Sequence, residues 1–168
     1  MNIEPGTIIT AVLFLLVCSI PFILLGRNGR KREKHFTNRL IAIATKNNCN
    51  ISRLSAWGHA AIGMDERSQM VFFASKAADQ HMEQSLSLQE IQKCRVVNTN
   101  RNSNHNNGSM DVSDKLELAF TPKDKNRPEP VFTFYDADHN GAILTGELQV
   151  AEKWCRIINE KIAAKERD

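Results

Sequence analysis

The chain has 168 residues, of which 42% are hydrophobic and 24% are charged. This length suits one domain with an appendage, and the apolar content excludes a wholly disordered chain. The net charge of +3 is uneven, since residues 27–46 carry +6, Glu4 carries −1 and residues 47–168 carry −2. A basic charge confined to one short segment argues against a nucleic-acid-binding face, and we expect no nucleic-acid partner.

The N-terminal segment 1–26 is predicted to be a transmembrane anchor. Residues 7–25 form a run of 19 residues without a charge. As a helix this run would span about 28 Å, close to the hydrocarbon core of a bilayer, and Pro21 predicts a kink in its last third. A cleaved signal peptide and a buried core helix are the alternatives. The start MNIEPG has no basic residue and the run is long for a signal peptide, which favours the anchor.

A basic juxtamembrane segment follows the apolar run. Because basic residues beside a span stay on the cytoplasmic side, we expect the N-terminus outside the inner membrane and residues 27–168 in the cytosol. The segment also attracts anionic headgroups of the lipid bilayer, and a specific lipid or nucleic-acid site is the alternative. The predicted membrane-proximal basic residues are Arg27, Arg30, Lys31, Arg32 and Lys34.

The first half of the soluble part predicts a helix followed by strands. Residues 35–48 place Phe36, Leu40 and Ala44 on one helical face, and this helix would lead from the membrane into the domain. Residues 60–64 and 70–74 flank a polar turn and predict a β-hairpin. The segment 85–91 fits a strand end or one helical turn, and 93–97 predicts another strand.

The second half predicts a loop, two strands and a helix. Residues 98–109 are rich in Asn and contain no apolar residue, which indicates a solvated loop. Alternation in 115–120 and the aromatic segment 131–135 indicate strands. Apolar residues spaced by three and four predict an amphipathic helix over 147–164, with Glu147 on its polar side. The elements together predict an α+β fold.

Residues 136–147 read DADHNGAILTGE and match the calcium-loop pattern D-x-[DN]-x-[DN]-G-x5-E. Side-chain oxygens would come from Asp136, Asp138, Asn140 and Glu147. An EF-hand needs a helix before its loop, whereas Pro128, Pro130 and the following residues favour a strand. We therefore expect a polar strand-to-helix connection, with Thr145 as helix cap and no metal or cofactor; a calcium site is the alternative.

Other chemistry is scarce in the sequence. There is no Walker loop, no G-x-S-x-G and no H-E-x-x-H, and the five His residues are dispersed, so we expect neither an enzyme nor a small-molecule substrate. Asp65 and Glu66 form a carboxylate pair at a predicted turn, where we expect them to be solvated. The cysteines lack metal-ligand spacing. Cys18 would lie in the membrane, and in a reducing cytosol the other three are expected to be small buried hydrophobic side chains. Trp57 and Trp154 are expected in the core.

The segments AIGMDERSQMVFF, KLELAF, VFTFYD and GELQVAEKWCRIINEKI resemble a bacterial pleckstrin-homology-like domain. Over about residues 36–164 the chain is similar to small single-pass membrane proteins of the Bacteroidota. The resemblance implies a small antiparallel barrel or bent sheet over 51–168, with the C-terminal helix at one end, after a basic and helical segment 27–50. It implies no known activity.

Pleckstrin-like modules bind lipid headgroups or proteins. The lipid-binding basic loop of the eukaryotic members has no match here, and the charge of −2 from residue 47 onward argues against phosphoinositide binding. We therefore expect a membrane-tethered cytosolic interaction module that scaffolds or regulates a protein partner. A calcium-responsive membrane adaptor that uses loop 136–147 is the alternative.

Overall fold

The computed structural model describes residues 32–77, 80–100, 113–140 and 146–165. The predicted anchor 1–26, together with Arg27, Arg30 and Lys31, lies outside these residues. Within the described ranges, no helix is both long enough and apolar enough to cross a membrane. The described chain begins with helix α1 (residues 32–46), which agrees with the helix predicted over 35–48.

The first sheet has four antiparallel strands in the order β1-β2-β3-β4. They are β1 (Arg53–Trp57), β2 (Ala60–Asp65), β3 (Met70–Ala77) and β4 (Gln80–Ser87). The predicted hairpin is confirmed as β2 and β3, with Ala60 paired to Ser75 and Asp65 paired to Met70. Segment 85–91 contains both predicted features, since β4 ends at Ser87 and a 3-10 turn follows at Leu88–Glu90.

The second sheet has three antiparallel strands in the order β5-β6-β7. They are β5 (Ile91–Asn100), β6 (Ser113–Pro122) and β7 (Val131–Asp136), and both predicted strands of the second half are confirmed. The first residues of the predicted loop 98–109 belong to β5 instead, because Asn98 pairs with Leu116. Residues 101–109 of that loop lie outside the described part of the chain.

Two further helices complete the described fold. A one-turn helix α2 (Ala137–Asn140) follows β7, and α3 (Glu147–Lys165) is the predicted C-terminal helix. Ala151, Trp154, Ile158 and Ile162 form the buried stripe of α3. Glu147 departs from the prediction, because it is buried at the start of α3 rather than solvated.

The main core lies between the two sheets and α3. Phe73 of β3 stacks on Phe132 and Phe134 of β7, with ring centroids 5.0 and 5.5 Å apart. Trp57 stacks on Phe134 at 4.8 Å, and Trp154 is fully buried, so both tryptophans are core residues as predicted. These aromatic contacts hold the two sheets face to face.

Helix α1 covers the opposite face of the first sheet. Its buried residues Phe36, Leu40 and Ala44 pack against Ala61 and Phe72 in a second apolar cluster. Gly63 permits this contact, since a Cβ at position 63 would lie only 2.6 Å from Cδ2 of Leu40. The helix predicted as a connection is therefore packed directly on the sheet.

The two ends of α1 contact different parts of the molecule. His35 near the start of α1 lies against His81 of β4, and the two rings are 5.8 Å apart. The other end of α1 leads to Asn50, whose backbone N–H donates to Asp65 at the β2–β3 turn. The 3-10 turn and the β6–β7 turn lie at this far end, because Leu88 donates to Gln69 and Lys123 donates to Glu90.

Candidate interaction surface

The outer edge of β5 is occupied by a side chain of α3. The backbone N–H of Cys94 donates to Oδ1 of Asn159 at 2.9 Å, and Nδ2 of Asn159 donates to the Cys94 carbonyl at 2.8 Å. The carboxamide thus satisfies both backbone groups of Cys94, as a neighbouring strand would. This edge of the second sheet is closed at Cys94.

The other edge strand of the second sheet, β7, is irregular and tied to the first sheet. Its pairing with β6 shifts register between Leu116 and Glu117, where β7 carries Phe134 as an extra residue. The carbonyl of Phe134 accepts a hydrogen bond from Nε2 of His59, in the β1–β2 turn, at 3.0 Å. Bulges of this kind are a common means by which proteins protect sheet edges.

Strand β4 is the longer of the two edge strands of the first sheet. It has eight residues without Lys, Arg or Pro, and its pairing with β3 continues from Met70–Ser87 to Ala77–Gln80 without a register shift. The other edge, β1, has five residues and begins at Arg53, which is ion-paired with Glu66. Strand β4 carries one acidic residue, Glu83, which is paired with Arg39 of α1. A long edge strand with regular pairing is open to pairing with another strand.

The pairing register of β3 and β4 determines which backbone groups of β4 point away from the sheet. Leu88 donates to Gln69, and Lys76 donates to the β1–β2 turn instead of to β4. Because hydrogen-bonded and non-bonded pairs alternate in an antiparallel ladder, His81, Glu83 and Ser85 direct their N–H and C=O groups away from β3. The side chain of Met82, on the same strand, is 41% exposed.

A basic cluster lies where α1 begins. The ring of Phe36 contacts both His35 and His81, and Arg39 forms an ion pair with Glu83 at 3.3 Å. The pKa of His81 is lowered, first by desolvation and then by the positive charges of Arg39, His35 and Lys76; Glu83 opposes the shift. Of the predicted basic residues, Arg32 and Lys34 are described, and both are exposed on α1.

A polar cleft of about 620 Å³ lies at the far end of α1, between Asn48 and Ser68. Asp65 in this cleft is buried rather than solvated as predicted, because its carboxylate accepts backbone N–H groups from Asn50, Arg67 and Ser68. The hydrogen bonds of the Ser68 side chain and of Asn50 lower the pKa of Asp65 to about 2. This carboxylate fixes the β2–β3 turn.

The neighbouring carboxylate of Glu66 is also engaged. It binds Lys161 of α3 and Arg53 of β1, and hydrogen bonds to these two side chains lower its pKa. Glu66 therefore connects the first sheet to α3. Neither carboxylate of the pair has the raised pKa that a general acid requires.

The described cysteines, Cys49, Cys94 and Cys155, are free thiols; Cys94 is buried as predicted, whereas Cys49 and Cys155 are only partly buried. Burial and the nearby Cys155 raise the pKa of Cys94, which keeps its thiol protonated at neutral pH. A nucleophilic cysteine needs the opposite shift. Cys94 serves as a small buried side chain beside α3.

The calcium-like segment begins at the end of a strand. Asp136 closes β7, and its Oδ1 accepts the backbone N–H of Asp138 at 3.1 Å, which caps α2. Residues 141–145, with the predicted cap Thr145, lie outside the described part of the chain. Among the described residues, no group of three or more His, Cys, Asp or Glu is placed to hold a metal ion.

Sequence reasoning missed Asn159 and the role of His59. Asn159 stands beside the apolar stripe of α3, next to Ile158, and a polar residue at such a position is the one signal that it faces a buried partner. His59 was one of several dispersed histidines, and its partner Phe134 is 75 residues away.

Comparison with known protein families, with curated protein sequences and with solved structures found no match. Over residues 32–165, with the gaps given above, the structure shows a small α+β domain: a first helix, seven antiparallel strands in two sheets and a C-terminal helix packed on a sheet.

Proposed function

We propose that this protein is a membrane-tethered cytosolic module that binds a protein partner by adding a strand of that partner to β4. The predicted anchor would hold the domain at the inner membrane with residues 27–168 in the cytosol. The domain would then scaffold or regulate a partner at the membrane surface, without catalysis.

The order of elements supports a pleckstrin-like interpretation. Four antiparallel strands are followed by three more and then by a helix that packs on the second sheet. The resemblance of the sequence to bacterial pleckstrin-like domains implies a small antiparallel barrel or bent sheet with a C-terminal helix at one end, and antiparallel sheets followed by such a helix agree with it. Such domains act through surfaces rather than deep catalytic pockets. The polar cleft agrees with this interpretation, because hydrogen bonds and ion pairs already engage both of its carboxylates, Asp65 and Glu66.

The observation that carries the proposal is the contrast between the sheet edges. Asn159 closes β5 at Cys94 and a bulge interrupts β7, whereas in the regular strand β4 the backbone groups of three alternate residues, His81, Glu83 and Ser85, face outward. Main-chain hydrogen bonds to such an edge supply affinity, and the alternating side chains supply specificity. Met82 would contribute an apolar contact to the added strand.

A photocrosslinking experiment in the native membrane tests this proposal. Benzoyl-phenylalanine replaces Met82 in the full chain, and the matched control replaces Lys125 in the β6–β7 turn at the far end. We expect an adduct larger than the chain from position 82 and none from position 125. An adduct with the mass of two chains would identify a second copy as the strand partner.

Substitution of Ser85 separates strand addition from other contacts. Ser85→Pro removes an outward N–H and leaves the β3–β4 ladder intact, whereas Ser85→Ala keeps the N–H. The adduct should disappear in Ser85→Pro and persist in Ser85→Ala. An adduct that survives Ser85→Pro, or no adduct at Met82, contradicts strand addition at β4.

A further inference from the structure

We infer that the strand added to β4 is the β4 strand of a second copy of this chain. The two strands would pair antiparallel and join the two four-stranded sheets into one continuous sheet. The inference rests on the proposed strand addition at β4 and names its partner. The two copies would be related by a twofold axis, which is the commonest symmetry of homo-oligomers.

The outward-facing backbone groups of β4 restrict how two copies can pair. His81, Glu83 and Ser85 face outward, and in an antiparallel pair an outward residue must lie opposite another outward residue. One such register places Glu83 opposite Glu83 of the second copy, and like charges directly opposite each other are destabilising. A shift in one direction limits the pairing to residues 80–84. The opposite shift pairs residues 81–87 along nearly the whole strand and places Glu83 opposite Ser85.

The side chains toward the main core are self-complementary in this longer register. Because side chains alternate along a strand, Met82, Gln84 and Leu86 share one face of β4, and Leu86 packs against the main core. Met82 would lie opposite Leu86 of the second copy, and this contact occurs twice. Met82 is exposed and Leu86 is only half-buried, so pairing would cover apolar surface on both copies. Gln84 would face Gln84 on the axis, where the two carboxamides can form hydrogen bonds.

The side chains toward α1 also tolerate this register. His81 would lie opposite Ser87 and Glu83 opposite Ser85. Glu83 is ion-paired with Arg39 of its own chain, so the added strand meets a carboxylate that already has a partner. Among residues 81–87, no two like charges lie opposite each other.

The symmetry of this pairing is compatible with two anchors in one bilayer. Antiparallel neighbours in a sheet are related by an axis perpendicular to it, so both copies of α1 would lie on the same face of the joined sheet. The start of α1 is close to the pairing edge, since the rings of His35 and His81 are 5.8 Å apart. Only residues 26–31 separate α1 from the apolar run of the proposed anchor. Confinement of both copies to one membrane raises their effective concentration, which favours a second copy over an unrelated strand.

Disulfide trapping of the full chain in isolated native membranes tests the inference. Residue 84 would form a non-hydrogen-bonded pair with itself, in which the Cα atoms lie about 4.5 Å apart, within the range of a disulfide. Gln84→Cys should therefore give a covalent dimer on mild oxidation. Met82→Cys is the matched control, because Met82 is more exposed but its two copies would be at least about 13 Å apart. The wild-type chain reports any disulfide among the native cysteines.

The backbone variants show whether the trapped dimer depends on strand pairing. We expect the Gln84→Cys dimer to disappear when Ser85→Pro is added and to persist with Ser85→Ala. A Gln84→Cys dimer no stronger than that of the wild type, or equal dimers from positions 82 and 84, overturns the inference.

The photocrosslink from position 82 separates this inference from the proposed function. We expect its adduct to have the mass of two chains. An adduct with a different protein that still depends on Ser85 would refute the second copy and leave strand addition standing. The absence of any adduct at position 82 would refute both.

Discussion

Asn159 is expected to be the most costly polar side chain of α3 to remove. Asn159→Ala would leave the N–H of Cys94 without its partner and its C=O with only the weak S–H donor of Cys155, and Cys94 is only 1% exposed. A buried backbone group that loses its hydrogen bond costs about 1–3 kcal/mol, so we expect a loss of about 2–4 kcal/mol for the pair. For a domain of this size the unfolding midpoint should fall by on the order of 10 °C.

Intrinsic tryptophan fluorescence of the full chain in detergent provides the assay. Trp57 and Trp154 are the two tryptophans of the chain, and both lie in the main core between the sheets. The control is Asn38→Ala, at an exposed position of α1, which should be neutral or slightly stabilising because Ala favours helix. A loss below about 0.5 kcal/mol for Asn159→Ala would refute the assigned role.

Asn159→Asp tests the geometry of the same contact. An aspartate keeps an acceptor for the Cys94 N–H, but when ionised it places a negative oxygen against the Cys94 carbonyl, whereas the neutral acid can donate to it. Its pKa should therefore be raised in the folded state. The variant should approach wild-type stability at low pH and lose stability as the pH rises through that pKa. If Asn159→Asp lost the same free energy of unfolding relative to wild type at pH 4 and at pH 7, the assigned contact between residue 159 and Cys94 would be contradicted.

Three further predictions follow from the packing of α1, the β2–β3 turn and the calcium-like loop. Gly63→Ala should destabilise the domain by about 1–3 kcal/mol through the clash with Leu40, whereas Gly58→Ala, with open space around its Cβ, should not; equal midpoints in thermal unfolding would refute the packing of α1 on the sheet. Asp65, with its pKa lowered from 3.8 to about 2, should stabilise the fold above pH 4 and lose that contribution as the pH falls toward 2. In denaturant titrations, Asp65→Asn should be less stable than the wild type at pH 5, and its free energy of unfolding should change less between pH 4 and pH 2. Calcium at 1 mM should leave the unfolding midpoint of the full chain unchanged, and a rise that Glu147→Gln abolishes would favour the calcium interpretation of residues 136–147.

Periodic segments of the fold were predictable because their burial is local and repetitive. The alternation of Leu116, Leu118 and Phe120 matches β6, and the stripe around Trp154 matches α3. Strand β4 was largely missed because its sequence, QHMEQSLS, is polar and its place in the sheet depends on pairing with β3. Asn98 and Asn100 likewise enter β5 through pairing with β6, against their own low strand propensity.

Polar residues were harder to place than apolar ones, because their partners lie far away in sequence. Asp65 is buried because Asn50, fifteen positions earlier, supplies an N–H. Glu147 is buried at the start of α3, and the pKa of Tyr135 is raised first by burial and then by the charge of this carboxylate. The β5 edge is closed by a contact between residues that are 65 positions apart in sequence, and hydrophobic periodicity does not indicate such a contact.

The openness of β4 is the central claim, and crosslinking from position 82 in the native membrane tests it most directly. We predict an adduct from position 82 that Ser85→Pro abolishes and Ser85→Ala preserves, with none from position 125. An adduct insensitive to Ser85→Pro, or equal labelling from positions 82 and 125, would contradict strand addition at this edge.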